Sequence, residues 1–156
     1  MDELSFEQTA KTPQIDFNHL SGDLLLYGRS IPENAAKIYE PVFNWVNEYI
    51  LEPRPITNLR LNLEYYNTAS TIWFTKILKT LLKIKEADYV IILHLYLPVE
   101  DFDEIDDFDD IKDAFVPIAN IDPSGVGIEI RLYATDDHGK IVKETLVFIE
   151  SEQVVY

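Results

Sequence analysis

The sequence predicts a single α/β domain, a mixed β-sheet packed by about three helices, and three features lead to it. Asn58 to Tyr66 alternates Leu59, Leu61, Leu63 and Tyr65 with Asn58, Arg60, Asn62 and Glu64, the period of a strand buried on one face. Tyr89 to Leu97 is almost unbroken apolar sequence, too short for a typical helix and rich in β-favouring side chains. That is the pattern of a strand covered on both faces, near the sheet centre. Amphipathic helical stretches flank and separate these two runs, which gives the alternation of strand and helix that builds α/β sheets.

Taken from the N-terminus, Gln14 to Phe17 and Asp23 to Gly28 read as a hairpin around the turn residues Ser21-Gly22-Asp23. In Ser30-Ile31-Pro32-Glu33 the spacing fits a capping box, with Ser30 as the cap, Glu33 reaching back and Pro32 tolerated in the first turn. Ile38, Val42, Trp45 and Tyr49 then share one helical face. Pro41 is expected to kink or restart this helix because it has no N–H for residue 37, and Pro53 and Pro55 end it. After the polar break Asn67 to Ser70, Ile72 to Glu86 reads as an amphipathic helix with Ile72, Ile77, Leu78, Leu81 and Leu82 on its apolar side. Its other side carries Lys76, Lys79, Lys83 and Lys85. Trp45 and Trp73 fall on apolar stripes and are expected in the core.

Phe102, Ile105, Phe108, Ile111 and Phe115 recur at helical spacing, so Phe102 to Phe115 reads as a helix with an apolar seam and an acidic back, closed by Pro117. Val126 to Ala134 and Ile141 to Ile149 are strand-like runs joined by Thr135 to Lys140, a C-terminal hairpin within residues 122–156. No internal repeat or low-complexity linker divides residues 1–156, so one domain is expected.

The chain of 156 residues carries 28 acidic against 13 basic side chains, a formal charge of −15. Such a polyanion repels phosphate backbones and anionic membrane surfaces, which argues against nucleic-acid and membrane binding. The apolar content of 47% is that of a chain able to close a core. There are no cysteines, which removes disulfides, thiolate metal sites and Cys nucleophiles together. The start Met1-Asp2-Glu3-Leu4 lacks the basic, apolar pattern of a signal peptide, and no run approaches the ~20 apolar residues of a membrane span. A cytoplasmic location is expected. From Glu100 to Asp113 nine carboxylates face one lysine, Lys112, so more than half of the net charge sits in one short segment.

Catalytic signatures are missing. His19, His94 and His138 are scattered without metal-ligand spacing, and His94 reads as a hydrogen-bonded core residue. The acidic run fails as an EF-hand loop, with Ile105 where an oxygen ligand is needed and Asp106 where glycine is needed. There is no Gly-x-Ser-x-Gly elbow, Walker loop or Gly-x-Gly-x-x-Gly turn, and five glycines leave little material for phosphate-cradling loops. No catalytic residue, metal or cofactor is assigned. A hydrolase using paired carboxylates is the weakest reading, because nothing singles out a pair among 28 acidic side chains.

Several stretches taken in order resemble the SiaC family of bacterial regulatory phosphoproteins, small α/β domains similar in outline to the STAS domains of anti-sigma-factor antagonists. They are Lys11-Thr12-Pro13-Gln14-Ile15-Asp16-Phe17, Gly28-Arg29-Ser30-Ile31-Pro32-Glu33-Asn34, Tyr39-Glu40-Pro41 with Trp45 and Tyr49, and Leu63-Glu64-Tyr65-Tyr66-Asn67-Thr68-Ala69-Ser70. The resemblance covers roughly residues 10–117, leaving the C-terminal hairpin beyond it. It implies a non-catalytic switch: a partner kinase phosphorylates a threonine, a PP2C-like phosphatase reverses the change, and the unmodified form binds a target such as a diguanylate cyclase. The acceptor it implies is Thr68, with Ser70 and Thr71 as alternatives, since Ala69 replaces the family's usual serine. Arg29, Glu33, Asn34 and Asn67 fall in the resembling segments and are the expected partner-binding residues.

The residues themselves are compatible with this. A hydroxyl between a strand and a helix start is reachable by a kinase, and the N–H groups and dipole there favour a phosphate, which adds about −1.5 to −2 charge. The four lysines of the following helix are expected to tolerate it. The plainer reading is that Asn67, Thr68 or Ser70 simply caps the helix, worth about 1 kcal/mol. Arg29 is balanced between a partner contact and a solvated surface residue, and Glu33 and Asn34 read as capping residues first. The rival function is a constitutive acidic interaction module or homo-oligomeric structural domain, acting through the Phe102 to Phe115 helix or the C-terminal hairpin.

Overall fold

Among the described residues, seven strands lie side by side in chain order in one mixed sheet. The computed structural model describes residues 1–108, 110 and 125–150. β1 (Leu4–Phe6), β2 (Gln14–Asn18) and β3 (Asp23–Ser30) form an antiparallel meander, with Gly22 at φ +77° in the β2–β3 turn. A side chain at Gly22 would fall 2.4 Å from the Ile56 carbonyl oxygen, so only glycine fits there. Next come α1 (Ala35–Tyr49), β4 (Ile56–Tyr66), α2 (Thr68–Leu81), β5 (Val90–Pro98), the short α3 (Val99–Asp103), β6 (Gly127–Thr135) and β7 (Ile141–Glu150). β3 to β6 are mutually parallel, and β7 returns antiparallel to β6.

Parallel neighbours in chain order need right-handed crossovers, which put the connecting helices on one face of the sheet. The core reflects this: Leu24, Leu26, Leu59, Ile91, Leu93 and Ile130 from the strands pack with Tyr39, Val42, Val46, Tyr49, Ile77 and Leu81 from α1 and α2. The opposite face carries the alternate residues, including Arg60, Asn62, Tyr96 and Arg131, all only partly buried. β5 is the apolar run expected to be covered on both faces, and Ile91 to His94 are buried in succession. Trp45 is buried, and Trp73 packs against the core partly covered.

Three local expectations are corrected. Ser30 is not a helix cap: it is the last residue of β3, fully buried, opposite Tyr66 of β4. Asn34 caps α1 instead, at φ −124°, accepting the amide N–H of Lys37. Pro41 neither ends nor restarts α1, which runs uninterrupted through it. Its position is exposed, so the Lys37 carbonyl that loses its helical donor faces water. The acidic helix is interrupted, since α3 ends at Asp103, Glu104 to Phe108 are turn and irregular chain, and Asp110 is helical again. Aspartate is a poor helix former, and like charges three or four residues apart repel, so the seam spacing is outweighed here. The part of that expected helix at residues 109 and 111–115 lies outside the described residues.

The C-terminal hairpin is integral to the sheet. β6 pairs with β5 along the whole strand, from Val90 opposite Gly127 to Pro98 opposite Thr135. Lys143 of β7 reaches Asp103 of α3 at 2.6 Å. Among the described residues no helix is long and apolar enough to cross a membrane.

Candidate functional site

The segment between β4 and α2 is where most of the sequence-predicted residues converge. β4 ends at Tyr66, Asn67 is extended at φ −94°, and helix begins at Thr68. The helix start therefore lies earlier than the apolar pattern from Ile72 indicates, because Asn67 caps it. Its side-chain Oδ1 accepts the Ser70 amide at 2.9 Å, and its backbone carbonyl accepts the Thr71 amide at 3.2 Å. Asn→Ala changes at such caps cost ~1 kcal/mol. Asn67→Ala is accordingly expected to lower the urea-unfolding free energy by about 1–2 kcal/mol, more than at an exposed cap, because Asn67 Nδ2 also donates to the Pro32 carbonyl at 3.3 Å.

The three hydroxyls of this run have different surroundings. Thr68, the first helical residue, is exposed. Ser70 is fully buried, with Oγ 2.7 Å from Ser30 Oγ, 2.9 Å from the Ser30 carbonyl and 2.8 Å from Asn67 Oδ1. Ser30 Oγ is in turn hydrogen-bonded to the Tyr39 hydroxyl of α1. Burial pushes the Tyr39 phenol up to about 12, against the smaller opposing effect of its bonds to Ser30 and Ser70, so it stays protonated. Thr71 is half-buried, and its hydroxyl donates to the Thr68 carbonyl at 2.6 Å.

The other predicted residues divide between two surfaces. Glu33 and Asn34 follow β3 at the same end of the sheet as Asn67, both exposed, with Glu33 paired to Lys11 at 3.1 Å and Asn34 engaged as the cap of α1. Arg29 alternates with buried Ser30 and lies on the sheet face away from the helices. There it pairs with Glu64 at 3.4 Å, stacks over Tyr65 at 5.4 Å and lines an open cleft of about 870 Å³ with Tyr27 and Tyr96. The turn Asp136 to Gly139 between β6 and β7 forms another wall of that cleft.

The lysines expected beside Thr68 are not there. α2 ends at Leu81, so Lys83 and Lys85 lie outside it, and Lys76 sits over the Trp73 ring at 4.4 Å. Eight residues of helix separate Thr68 from Lys76, a rise of roughly 12 Å, beyond the ~8 Å screening length at physiological salt. The positive character at Thr68 comes from the helix start itself, whose first amides have no partner within the helix.

What sequence reading missed are Tyr39 and Ser30 as members of a buried hydroxyl chain, and the exposure of Tyr66 and Ile72 on either side of Thr68. The sequence signal for the first was Ser30 itself, a polar residue in an apolar-alternating strand. Among the described residues no group of three or more His, Asp or Glu side chains is placed to hold a metal ion.

This small α/β domain presents an exposed threonine at the Asn67-capped start of α2, and comparison gives the family. The model of the SiaC family regulatory phosphoproteins matches residues 6–122. The chain belongs to the SiaC family. The apo-SiaC crystal structure from Pseudomonas aeruginosa superposes with a TM-score of 0.63 at 24% identity, covering 73% of this chain and 93% of that one. Another structure of P. aeruginosa SiaC gives 0.58 at 27% identity, over 67% and 91%. A chain from the P. aeruginosa complex of diguanylate cyclase SiaD with its activator SiaC gives 0.60 at 21% identity, over 81% and 98%. An uncharacterised protein of P. aeruginosa strain UCBPP-PA14 is 33% identical over 70 residues, 45% of this chain, and the aligned part spans 56% of that relative's length. β6 and β7 lie beyond the matched residues.

Proposed function

We propose that this protein is a non-catalytic cytoplasmic signalling adaptor, switched by reversible phosphorylation of Thr68, whose unmodified form binds and regulates a diguanylate cyclase. The observation that carries this reading is the contrast within Asn67 to Thr71: Thr68 is exposed at the helix start, while Ser70 is buried and Thr71 bonds back to the helix. A protein kinase transfers the γ-phosphoryl group of ATP to Thr68 Oγ, releasing the hydroxyl proton and ADP, and a PP2C-like phosphatase hydrolyses the ester. Family membership supports the regulatory role, and the SiaD complex of P. aeruginosa supports the cyclase as target.

Tyr66 and Ile72, each more than half exposed, flank Thr68 in sequence and supply the large apolar contacts typical of binding hot spots, while exposed Tyr65 lies with Arg29 on the other sheet face. Glu33, Asn34, Asn67 and, on the other sheet face, Arg29 complete the surface assigned to partners. Titration calorimetry against the purified diguanylate cyclase encoded in the same genome tests this. Tyr66→Ala is expected to weaken binding roughly tenfold or more, and stoichiometric phosphate on the chain to weaken it further. Equal affinity of the wild type, Tyr66→Ala and phosphorylated forms overturns the assignment.

A second reading, a homo-oligomeric or constitutive acidic interaction module, is favoured by the exposed Ile141, Val142 and Leu146 on β7 at the end of the sheet. Sedimentation that shows a monomer at every concentration removes it.

A further inference from the structure

Asn67 does two things with one side chain. Its Oδ1 caps α2 by accepting from the Ser70 amide and lies 2.8 Å from the Ser70 hydroxyl, while its Nδ2 donates to the carbonyl of Pro32. Its backbone amide donates to the Ser30 carbonyl at 3.0 Å. The start of α2 is thus stitched to residues 30–32, which lead directly into Glu33, Asn34 and the start of α1. The buried chain Ser70–Ser30–Tyr39 ties the same two helix starts together from below.

We infer that a phosphate on Thr68 and the carboxamide of Asn67 compete for the same amide donors at the start of α2, so that modification frees Asn67 and loosens the segment carrying Glu33 and Asn34. The first amides of a helix are its anion-binding groups, and Asn67 already uses the Ser70 amide. A dianionic phosphate on the adjacent residue is the stronger acceptor, because hydrogen bonds to charged oxygens are roughly twice as strong as neutral ones. Once Oδ1 is displaced, its contact with the Ser70 hydroxyl is lost as well, and Nδ2 is no longer held against Pro32. Asn67 is then a positioning residue: it need not touch a partner to control binding, because it sets the geometry of the neighbouring surface. With the lysines of α2 too distant to receive the phosphate, these amides are the local hydrogen-bond donors to it.

The inference rests on Thr68 being the modified residue, and its test is independent of the kinase. Phosphothreonine is installed at position 68 during synthesis of the full chain, and amide hydrogen exchange is compared with the unmodified protein. The Ile31 amide, bonded to the Lys11 carbonyl, and the Asn67 amide are expected to exchange about tenfold faster, while the Ser70 amide stays protected by the phosphate. Amides of β5 serve as the reference and stay unchanged. In Asn67→Ala the Ile31 and Ser70 amides are both expected to exchange faster without any phosphate, and in Asn67→Asp, which keeps an acceptor but loses the Pro32 contact, only Ile31. Unchanged exchange at Ile31 and Asn67 in the phosphothreonine protein, or loss of protection at Ser70, overturns the inference. A kinase reaction that leaves Thr68 unmodified overturns the reading of the site and not the competition.

Discussion

Thr68→Ala is expected to abolish phosphate transfer from ATP by the cognate kinase, whereas Ser70→Ala and Thr71→Ala remain substrates. The reason is access. Thr68 is exposed as the first residue of α2, while the Ser70 hydroxyl is fully buried against Ser30 and Asn67. A kinase that modified Ser70 would have to break this buried network, leaving Ser30 with one partner fewer at a cost of about 1–3 kcal/mol. Thr71 is half-buried, with its hydroxyl proton committed to the Thr68 carbonyl. Ser70→Ala should melt at lower temperature than the wild type yet accept phosphate to the same stoichiometry, which separates the structural serine from the acceptor threonine. Peptide mass spectrometry of the 68–76 region reads the outcome, and phosphate retained in Thr68→Ala refutes the assignment.

The second large effect concerns His94, on β5, away from the Asn67 to Thr71 segment. Its ring nitrogens lie 2.7 Å from the Tyr133 hydroxyl and 2.7 Å from Asn58 Oδ1, and the residue is almost fully buried. Burial, reinforced by the nearby Arg60 and Arg131 guanidinium groups, lowers its pKa from 6.5 to about 4. The neutral ring is therefore the folded form, while the unfolded chain takes up a proton below pH 6.5. Stability contributed by keeping His94 neutral is complete above pH 6.5 and falls as pH drops from 6.5 towards 4, by about 3 kcal/mol in total. His94→Gln should be less stable than the wild type at pH 7 by about 1–2 kcal/mol, since it only partly replaces the two hydrogen bonds. The gap should close or reverse near pH 4.5, because the variant has no proton to gain at this position. Urea unfolding of both proteins between pH 4 and 8 measures this, with the carboxylates acting alike in both. A gap that stays constant across that range refutes it.

Tyr133 belongs to β6, beyond the residues that match the family, and Tyr96 stacks on it with ring centroids 4.7 Å apart. The C-terminal hairpin therefore supplies half of the environment that buries His94. Residues Tyr89 to Leu97 announce a strand covered on both faces, but the partner that covers His94 comes from thirty-nine positions further along the chain. No periodicity reports such a pairing.

The same contrast runs through the candidate site. Asn67 and Thr68 were legible because a polar break between a strand pattern and a helix pattern has few structural uses, and capping is the commonest. Ser30 misled for the same reason: four residues from Ser30 to Glu33 satisfy a capping box on paper. In the fold, β3 extends to Ser30, and the hydroxyl is drawn into the core by Tyr39 and Ser70. The four lysines were correctly found in sequence, yet helix length decides distance, and α2 carries Lys76 and Lys79 away from Thr68. The acidic seam spaced Phe102, Ile105 and Phe108 as a helix would, but periodicity carries no term for like-charge repulsion, and α3 ends after one turn and a half.

The sequence by itself determined the α/β class, the order of the strands and helices from β2 onward, though not β1, and the lack of recognisable catalytic motifs. Those properties are local: alternation, helical spacing, turn residues and charge are all written in neighbouring positions. Only the tertiary structure decided which hydroxyl of the Asn67 to Thr71 segment faces water, that Ser30, Tyr39 and Ser70 share one buried network, that Arg29 faces away from Thr68, and that His94 is held neutral by residues of β4 and β6. Each of these depends on which strand lies beside which and how far an element runs before it ends, because burial and hydrogen bonding are set by neighbours in space.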